Sequence, residues 1–177
     1  NGMTPCTTVQ NVQRSYGNWT PRNASKARYG QQVPLRWGLQ QSNNWISAYL
    51  ISLLGPSQFV NILHDFGLNN PDIEKNTSPV LCLGPSELSL GEMCSAYTTF
   101  INHGVRCAPL FVTRIEDSHG NVVAKFQPLM NEVISEESSF KMLDMLQAVI
   151  QGGTGGRLRY NYNLTGEIGG KTGTTNN

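Results

Sequence analysis

The first stretch of this 177-residue chain that could do chemistry is Gly166-Glu167-Ile168-Gly169-Gly170-Lys171-Thr172, a glycine-rich run closed by a lysine and a hydroxyl. Glycine-freed backbone amides followed by a lysine are what a phosphate-binding loop uses. The spacing excludes that reading. Such a loop needs a glycine five positions ahead of the glycine preceding the lysine, and that position is Thr165; no apolar strand leads into it either. Gly152-Gly153-Thr154-Gly155-Gly156 likewise misses the dinucleotide pattern, because Leu158 stands where the third glycine belongs.

Three polar constellations remain: Ser42-Asn43-Asn44, Ser138-Ser139-Phe140-Lys141 and Lys171-Thr172-Gly173-Thr174-Thr175. Taken singly, the first reads as a helix cap, since Ser and Asn compete with helical hydrogen bonds. The second reads as ordinary surface residues in the first turn of an amphipathic helix. Lys171 alone reads as a solvated loop residue beside β-prone threonines. Cys6, Cys82, Cys94 and Cys107 are too widely spaced for a C-x-x-C redox or zinc pair, and His64, His103 and His119 form no ligand cluster, so no metal or cofactor is expected. Buried free thiols are the preferred reading of the cysteines, with pairing of Cys82 to Cys94 or Cys107 open in an oxidising compartment.

The elements that must position these groups follow from periodicity. Asn1 to Gln32 is rich in Thr, Asn, Gly and Pro, and little regular structure is expected there. Leu35, Trp37 and Leu39 open a short helix; Ile46, Tyr49, Leu50, Leu53 and Leu54 carry a second, with Asn43 or Asn44 near its N-cap. Gly55-Pro56-Ser57 starts a third helix, lined by Phe59, Ile62, Leu63 and Phe66 and closed by Gly67, and a turn-rich connector runs from Asn69 to Ser78. Ser86, Glu87 and Ser89 precede a longer helix bearing Leu90, Met93, Tyr97, Phe100 and Ile101, stopped by His103-Gly104. Leu110 to Glu116 and Val122 to Phe126 flank a turn as a hairpin. Ser135-Glu136-Glu137 opens a helix burying Met142, Leu143, Leu146, Val149 and Ile150, which the glycines from Gly152 break. Gly166 to Thr175 reads as a strand that needs a neighbour or a ligand.

Composition sets the outer bounds. The chain has the length of one domain and can bury a substantial core. Lys plus Arg is 13 and Asp plus Glu is 12, so a net charge of +1 supplies no general field for a nucleic acid backbone or an anionic membrane. Hydrophobic content of 38% argues against disorder. Charged residues are only 14%, with polarity drawn from Asn, Gln, Ser and Thr, a balance that suits an extracytoplasmic setting. No apolar stretch is long enough to cross a bilayer, and a signal or anchor is expected outside these residues.

Together, in this order, Ser42-Asn43-Asn44 and Lys171-Thr172-Gly173-Thr174-Thr175 resemble the S-x-N and K-T-G elements of the penicillin-binding protein transpeptidase domain. The resemblance extends through Trp19 to Asn23, Val33 to Leu39, Leu83 to Asn102 and Val149 to Gly155, and the K-T-G-T-T ending looks most like bifunctional class A members. It implies a mixed α/β fold: an α-rich lobe plus the antiparallel sheet of the serine transpeptidase and β-lactamase-like proteins. The third element, S-x-x-K, precedes S-x-N in the family, so Ser138 to Lys141 is set aside. Residues 1–177 are therefore expected to be a partial domain, lacking the upstream S-x-x-K helix and downstream strands, and inactive alone.

The resemblance also implies roles. A serine attacks the carbonyl between two D-alanines of a peptidoglycan stem peptide, and an amine from another stem, on a lipid II-derived glycan strand, resolves the acyl-enzyme. Ser42 would relay a proton to the leaving amine, because a hydroxyl both donates and accepts. Asn44 would hold the substrate amide, with Asn43 beside it in the binding groove. Lys171 would set positive potential for the substrate carboxylate, and Thr172 and Thr174 would donate hydroxyls to it. Gly173 would let a ligand approach the backbone, and the Thr174 amide would be one oxyanion donor. β-Lactam antibiotics would enter the same site, and the parent would be anchored in the inner membrane, facing the periplasm or cell envelope. The rival reading is a catalytically dead module that binds stem peptides or a partner.

Overall fold

The computed structural model describes residues 2–75 and 78–174. Its first regular structure comes earlier than the composition suggests. Strand β1 (Thr8–Gln10) pairs antiparallel with β2 (Gln32–Pro34), Val9 opposite Val33. Each strand has three residues and buries one side chain, too short a run for alternation to register in sequence. The pairing is fixed instead by packing of Val9 and Val33 against Ile46.

Helix α1 (Leu35–Gln40) follows β2 directly, and α2 (Asn44–Leu54) begins after the Ser42-Asn43 junction. Helix α3 (Pro56–Asp65) leaves α2 at 94°, a turn made by Gly55 with Pro56 in the first helical turn. The connector read as turns holds a short helix, α4 (Pro71–Lys75), and a 3-10 turn at Pro79–Leu83. Helix α5 (Leu90–Ile101) starts with a reciprocal cap in which Ser89 and Glu92 each satisfy the other's backbone. Among the described residues no single helix is long and apolar enough to cross a membrane.

Strands β3 (Val105–Cys107) and β6 (Met130–Glu132) pair antiparallel around the expected hairpin, β4 (Arg114–Glu116) with β5 (Val122–Lys125). At the hairpin tip the Asn121 side chain, with the amides of Asn121 and His119, hydrogen-bonds Asp117 and holds its carboxyl below the usual carboxylate range. Helix α6 (Glu136–Gly152), capped by Ser135, packs against α1 and α5, and the short α7 (Arg157–Tyr160) follows the glycine-rich break. The fold is mixed α/β, with its antiparallel part present as three separate two-stranded ladders.

One core joins Ile51, Val60, Phe66, Leu68, Ile73, Leu81 and Ala96 between α2, α3 and α5. Each of these side chains larger than alanine contributes about 1.5–3 kcal/mol when fully buried. Leu146, Val149 and Ile150 bury the inner face of α6. The four cysteines are free thiols, but Cys6 and Cys94 are exposed, which corrects the expectation of buried thiols; burial pushes Cys82 up to about 11.

Candidate functional site

The junction between α1 and α2 is a helix stop built on a serine. The amide of Asn43 donates to Gly38 O at 2.9 Å and the amide of Ser42 to Leu39 O at 3.1 Å, while Ser42 takes φ 53°. This is the Schellman pattern, whose left-handed residue is usually glycine. A Cβ in that region costs about 1–2 kcal/mol. The strained conformation leaves the Ser42 side chain exposed.

Asn43 performs a different task from the one the resemblance gives it. It is 5% exposed, its Oδ1 accepts from the amide of Ile46 at 3.1 Å, and its Nδ2 donates to Asn11 Oδ1 at 2.9 Å. Asn11 in turn donates to the carbonyls of Ala27 and Arg28. Asn43 is thus a buried N-cap that ties α2 to the 21–28 loop, with both ends of its carboxamide engaged inside the fold. Asn44 lies at the surface of the same turn. Its amide donates to Asn23 Oδ1 and its Nδ2 to Arg22 O, both at 2.7 Å, so the loop holds the carboxamide in place with Oδ1 as its open acceptor end.

The segment 166–174 reaches this junction from α6 and α7. Arg159 donates to Leu164 O and Gly166 O, each at 2.5 Å, fixing the turn, and the amide of Gly170 donates to Leu146 O at 3.2 Å. Among the described residues no strand ladder forms here, which corrects the reading of 166–175 as a strand; Thr175 lies outside the described residues. Lys171 Nζ donates to Ser42 Oγ at 2.5 Å and to Thr172 O at 3.0 Å. Burial pushes the Lys171 ammonium below the usual lysine range. Thr172 and Thr174 are exposed, and a Cβ added to Gly173 would meet nothing within 4 Å. Sequence-distant hydroxyl, ammonium and threonine groups therefore converge on one surface. Arg36 on α1 grips Asp144 on α6 through two hydrogen bonds, at 3.0 and 3.3 Å, holding the helices behind the two segments together.

Residues 3–177 match the Penicillin binding protein transpeptidase domain family. The chain belongs to that family. It is 32% identical over 162 residues to Penicillin-binding protein 1A of Clostridium novyi (strain NT), covering 89% of this chain and 18% of that protein. It is 31% identical over 180 residues to Penicillin-binding protein 1A of Aquifex aeolicus (strain VF5), covering 98% of this chain and 24% of the relative. The chain thus spans less than a quarter of these two relatives. The crystal structure of Penicillin-Binding Protein 1A from Haemophilus influenzae superposes with a TM-score of 0.83 at 26% identity, over 99% of this chain and 32% of that one. The D,D-transpeptidase domain of a peptidoglycan glycosyltransferase from Eggerthella lenta shares the fold, with a TM-score of 0.75 over 98% of this chain and 49% of that one, at 23% identity.

Within this transpeptidase domain the second serine–lysine pair is separately occupied. Ser138 accepts from Ser135 Oγ at 2.9 Å in the first turn of α6, and Lys141 pairs with Glu137 one turn back. Among the described residues no cluster of three or more His, Cys, Asp or Glu stands together. Two surface depressions, of about 340 and 260 Å³, lie beside the β4–β5 hairpin and between Leu35, Leu50 and Met142; Ser42 and Lys171 line neither, so the site shows in its polar convergence. Thr154 is a further contributor that periodicity gave no reason to single out. It stands inside the pentapeptide Gly152–Gly156, where a hydroxyl among four glycines was the available signal.

Proposed function

We propose that the chain is part of a peptidoglycan D,D-transpeptidase domain acting through a serine acyl-enzyme on D-Ala-D-Ala stem peptides, and that the same groove takes β-lactams. The parent would be a class A protein anchored in the inner membrane, with this domain outside the cytoplasm. The observation that carries the reading is the 2.5 Å hydrogen bond from Lys171 Nζ to Ser42 Oγ, which joins the S-x-N and K-T-G elements.

The nucleophilic serine and its lysine come from an S-x-x-K segment beyond these residues. The nucleophile's Oγ forms the bond to the carbonyl carbon, and its proton passes to the departing D-alanine amine. Ser42 relays that proton, because its oxygen already accepts from Lys171 and its own proton is free to move on. Lys171 lends positive charge in a half-buried setting where each interaction is worth more than in water. Thr172 and Thr174 donate to the substrate carboxylate, and Asn44 Oδ1 accepts from the peptide backbone. The amide of Thr174 supplies one oxyanion donor, a contribution of about 3 kcal/mol to the barrier in comparable sites. Asn43 acts from behind, by fixing the turn.

Labelling by a fluorescent penicillin tests the reading. The full-length protein should form a covalent adduct that survives denaturation, while Ser138→Ala changes nothing and residues 1–177 alone take no label. A full-length protein that does not label makes this a binding module without acyl transfer, and labelling of 1–177 at Ser138 overturns the placement of the nucleophile.

A further inference from the structure

The pentapeptide between α6 and α7 touches both halves of the site. The amide of Thr154 donates to Gln40 O at 3.1 Å, at the end of α1 and two residues before Ser42. On its other side the Thr154 hydroxyl lies 2.6 Å from the Thr172 hydroxyl. Gly153 permits this approach: a Cβ there would sit 2.2 Å from Gln40 O, inside van der Waals contact with backbone that cannot swing away. Thr154 is therefore a bridge, bonded by backbone to the segment carrying Ser42 and by side chain to the segment carrying Lys171.

The direction of the hydroxyl pair matters. Each hydroxyl has one proton, and in a 2.6 Å contact one oxygen donates while the other accepts. If Thr172 gave its proton to Thr154 it would have none for a carboxylate. If Thr154 donates, Thr172 accepts from behind and its own proton points outward, and the chained hydrogen bonds strengthen one another. Lys171, bonded to the Thr172 carbonyl at 3.0 Å, fixes the backbone of the same residue.

Resting on the acyl-transfer reading above, we infer that Thr154 is a positioning residue for carboxylate recognition: its hydroxyl donates to Thr172 Oγ1, so that the Thr172 proton is aimed at the carboxylate end of the acyl donor. Thr154 touches no reacting atom. Its effect is selective for ligands that carry a carboxylate, which separates it from a general structural role.

The test uses the full-length protein with benzylpenicillin and benzylpenicillin methyl ester, each competing against a fluorescent penicillin. Thr154→Val keeps the shape and the Gln40 backbone bond but removes the donor. It should slow acylation by benzylpenicillin about five- to tenfold, the worth of one neutral hydrogen bond. Acylation by the ester should stay within about twofold, and Thr154→Ser should restore the acid rate. Equal losses for acid and ester, an unchanged Thr154→Val protein, or a Thr154→Ser protein as slow as the valine variant would each overturn the assignment. Failure of the unsubstituted protein to label at all would overturn the acyl-transfer reading and this inference with it.

Discussion

The Lys171 ammonium donates a 2.5 Å hydrogen bond to the Ser42 hydroxyl across 129 positions of sequence. Neither group is held by a long element of its own. Ser42 is placed by the helix stop after α1, and Lys171 by a segment pinned through Arg159, Gly170 and Thr154. What aligns them is the packing of α6 across α1, reinforced by the Arg36–Asp144 pair.

That placement gives Lys171 a pH signature. Its pKa is lowered by burial, so between the lowered value and the unfolded lysine value of about 10.4 the unfolded chain binds more protons than the folded one. Stability contributed by this group therefore rises with pH across that window. Below it the half-buried ammonium carries its full cost. The unfolding midpoint of the unsubstituted full-length protein minus that of Lys171→Met should rise as pH is raised toward about 10.4; a fall in that signed difference would show that the site raises this pKa instead. At neutral pH the same variant should lose about ten- to a hundredfold in penicillin acylation, as for a charge-assisted hydrogen bond.

Ser42 sets stability against function at one backbone position. With φ 53° it occupies a conformation in which glycine is unstrained. Ser42→Gly should relieve about 1 kcal/mol and raise the melting temperature by roughly 2–4 °C, while cutting acylation by at least about tenfold. Ser42→Ala loses the same hydroxyl but keeps the Cβ, so it should lose activity without the thermal gain. Calorimetry beside labelling kinetics reads both, and a Ser42→Gly protein that melts lower than Ser42→Ala would refute the strain argument.

The longer helices and the polar words at the two ends of the candidate site were legible because they rest on local signals. The apolar spacing of Ile46 to Leu54 and the polar break at Ser42 to Asn44 each occupy a few adjacent residues, and α2 begins where the cap was expected. The strands β1, β2, β3 and β6 were not legible: each is three residues long, and their pairings join positions as distant as Val105 and Glu132. A glycine-rich run such as 166–174 has no side-chain period to read, so its path is decided by α6 and α7. The site shows the same division. The S-x-N and K-T-G elements are short words, whereas Thr154 acquires its place only when the chain folds Gln40 and Thr172 to either side of it.

The neighbouring asparagines should separate cleanly into fold and chemistry. Asn43→Ala removes the α2 cap, worth about 1 kcal/mol, and strands Asn11 Oδ1 inside the protein at a further cost of roughly 1–3 kcal/mol. A total loss of about 2–4 kcal/mol follows, and it should show as a fall in unfolding midpoint, because Asn11 and Asn43 are both buried. Asn44→Ala gives up a single partly exposed bond to Arg22 O, about 1 kcal/mol or less, and should barely move the midpoint. Its acylation rate should nevertheless fall by about tenfold, since in the proposed reading the carboxamide is the group offered to substrate. Urea unfolding and penicillin acylation measured on both variants decide the matter. If Asn44→Ala is the less stable of the two, or if Asn43→Ala loses activity at unchanged stability, the assignment of the buried residue to the fold and the exposed one to substrate is reversed.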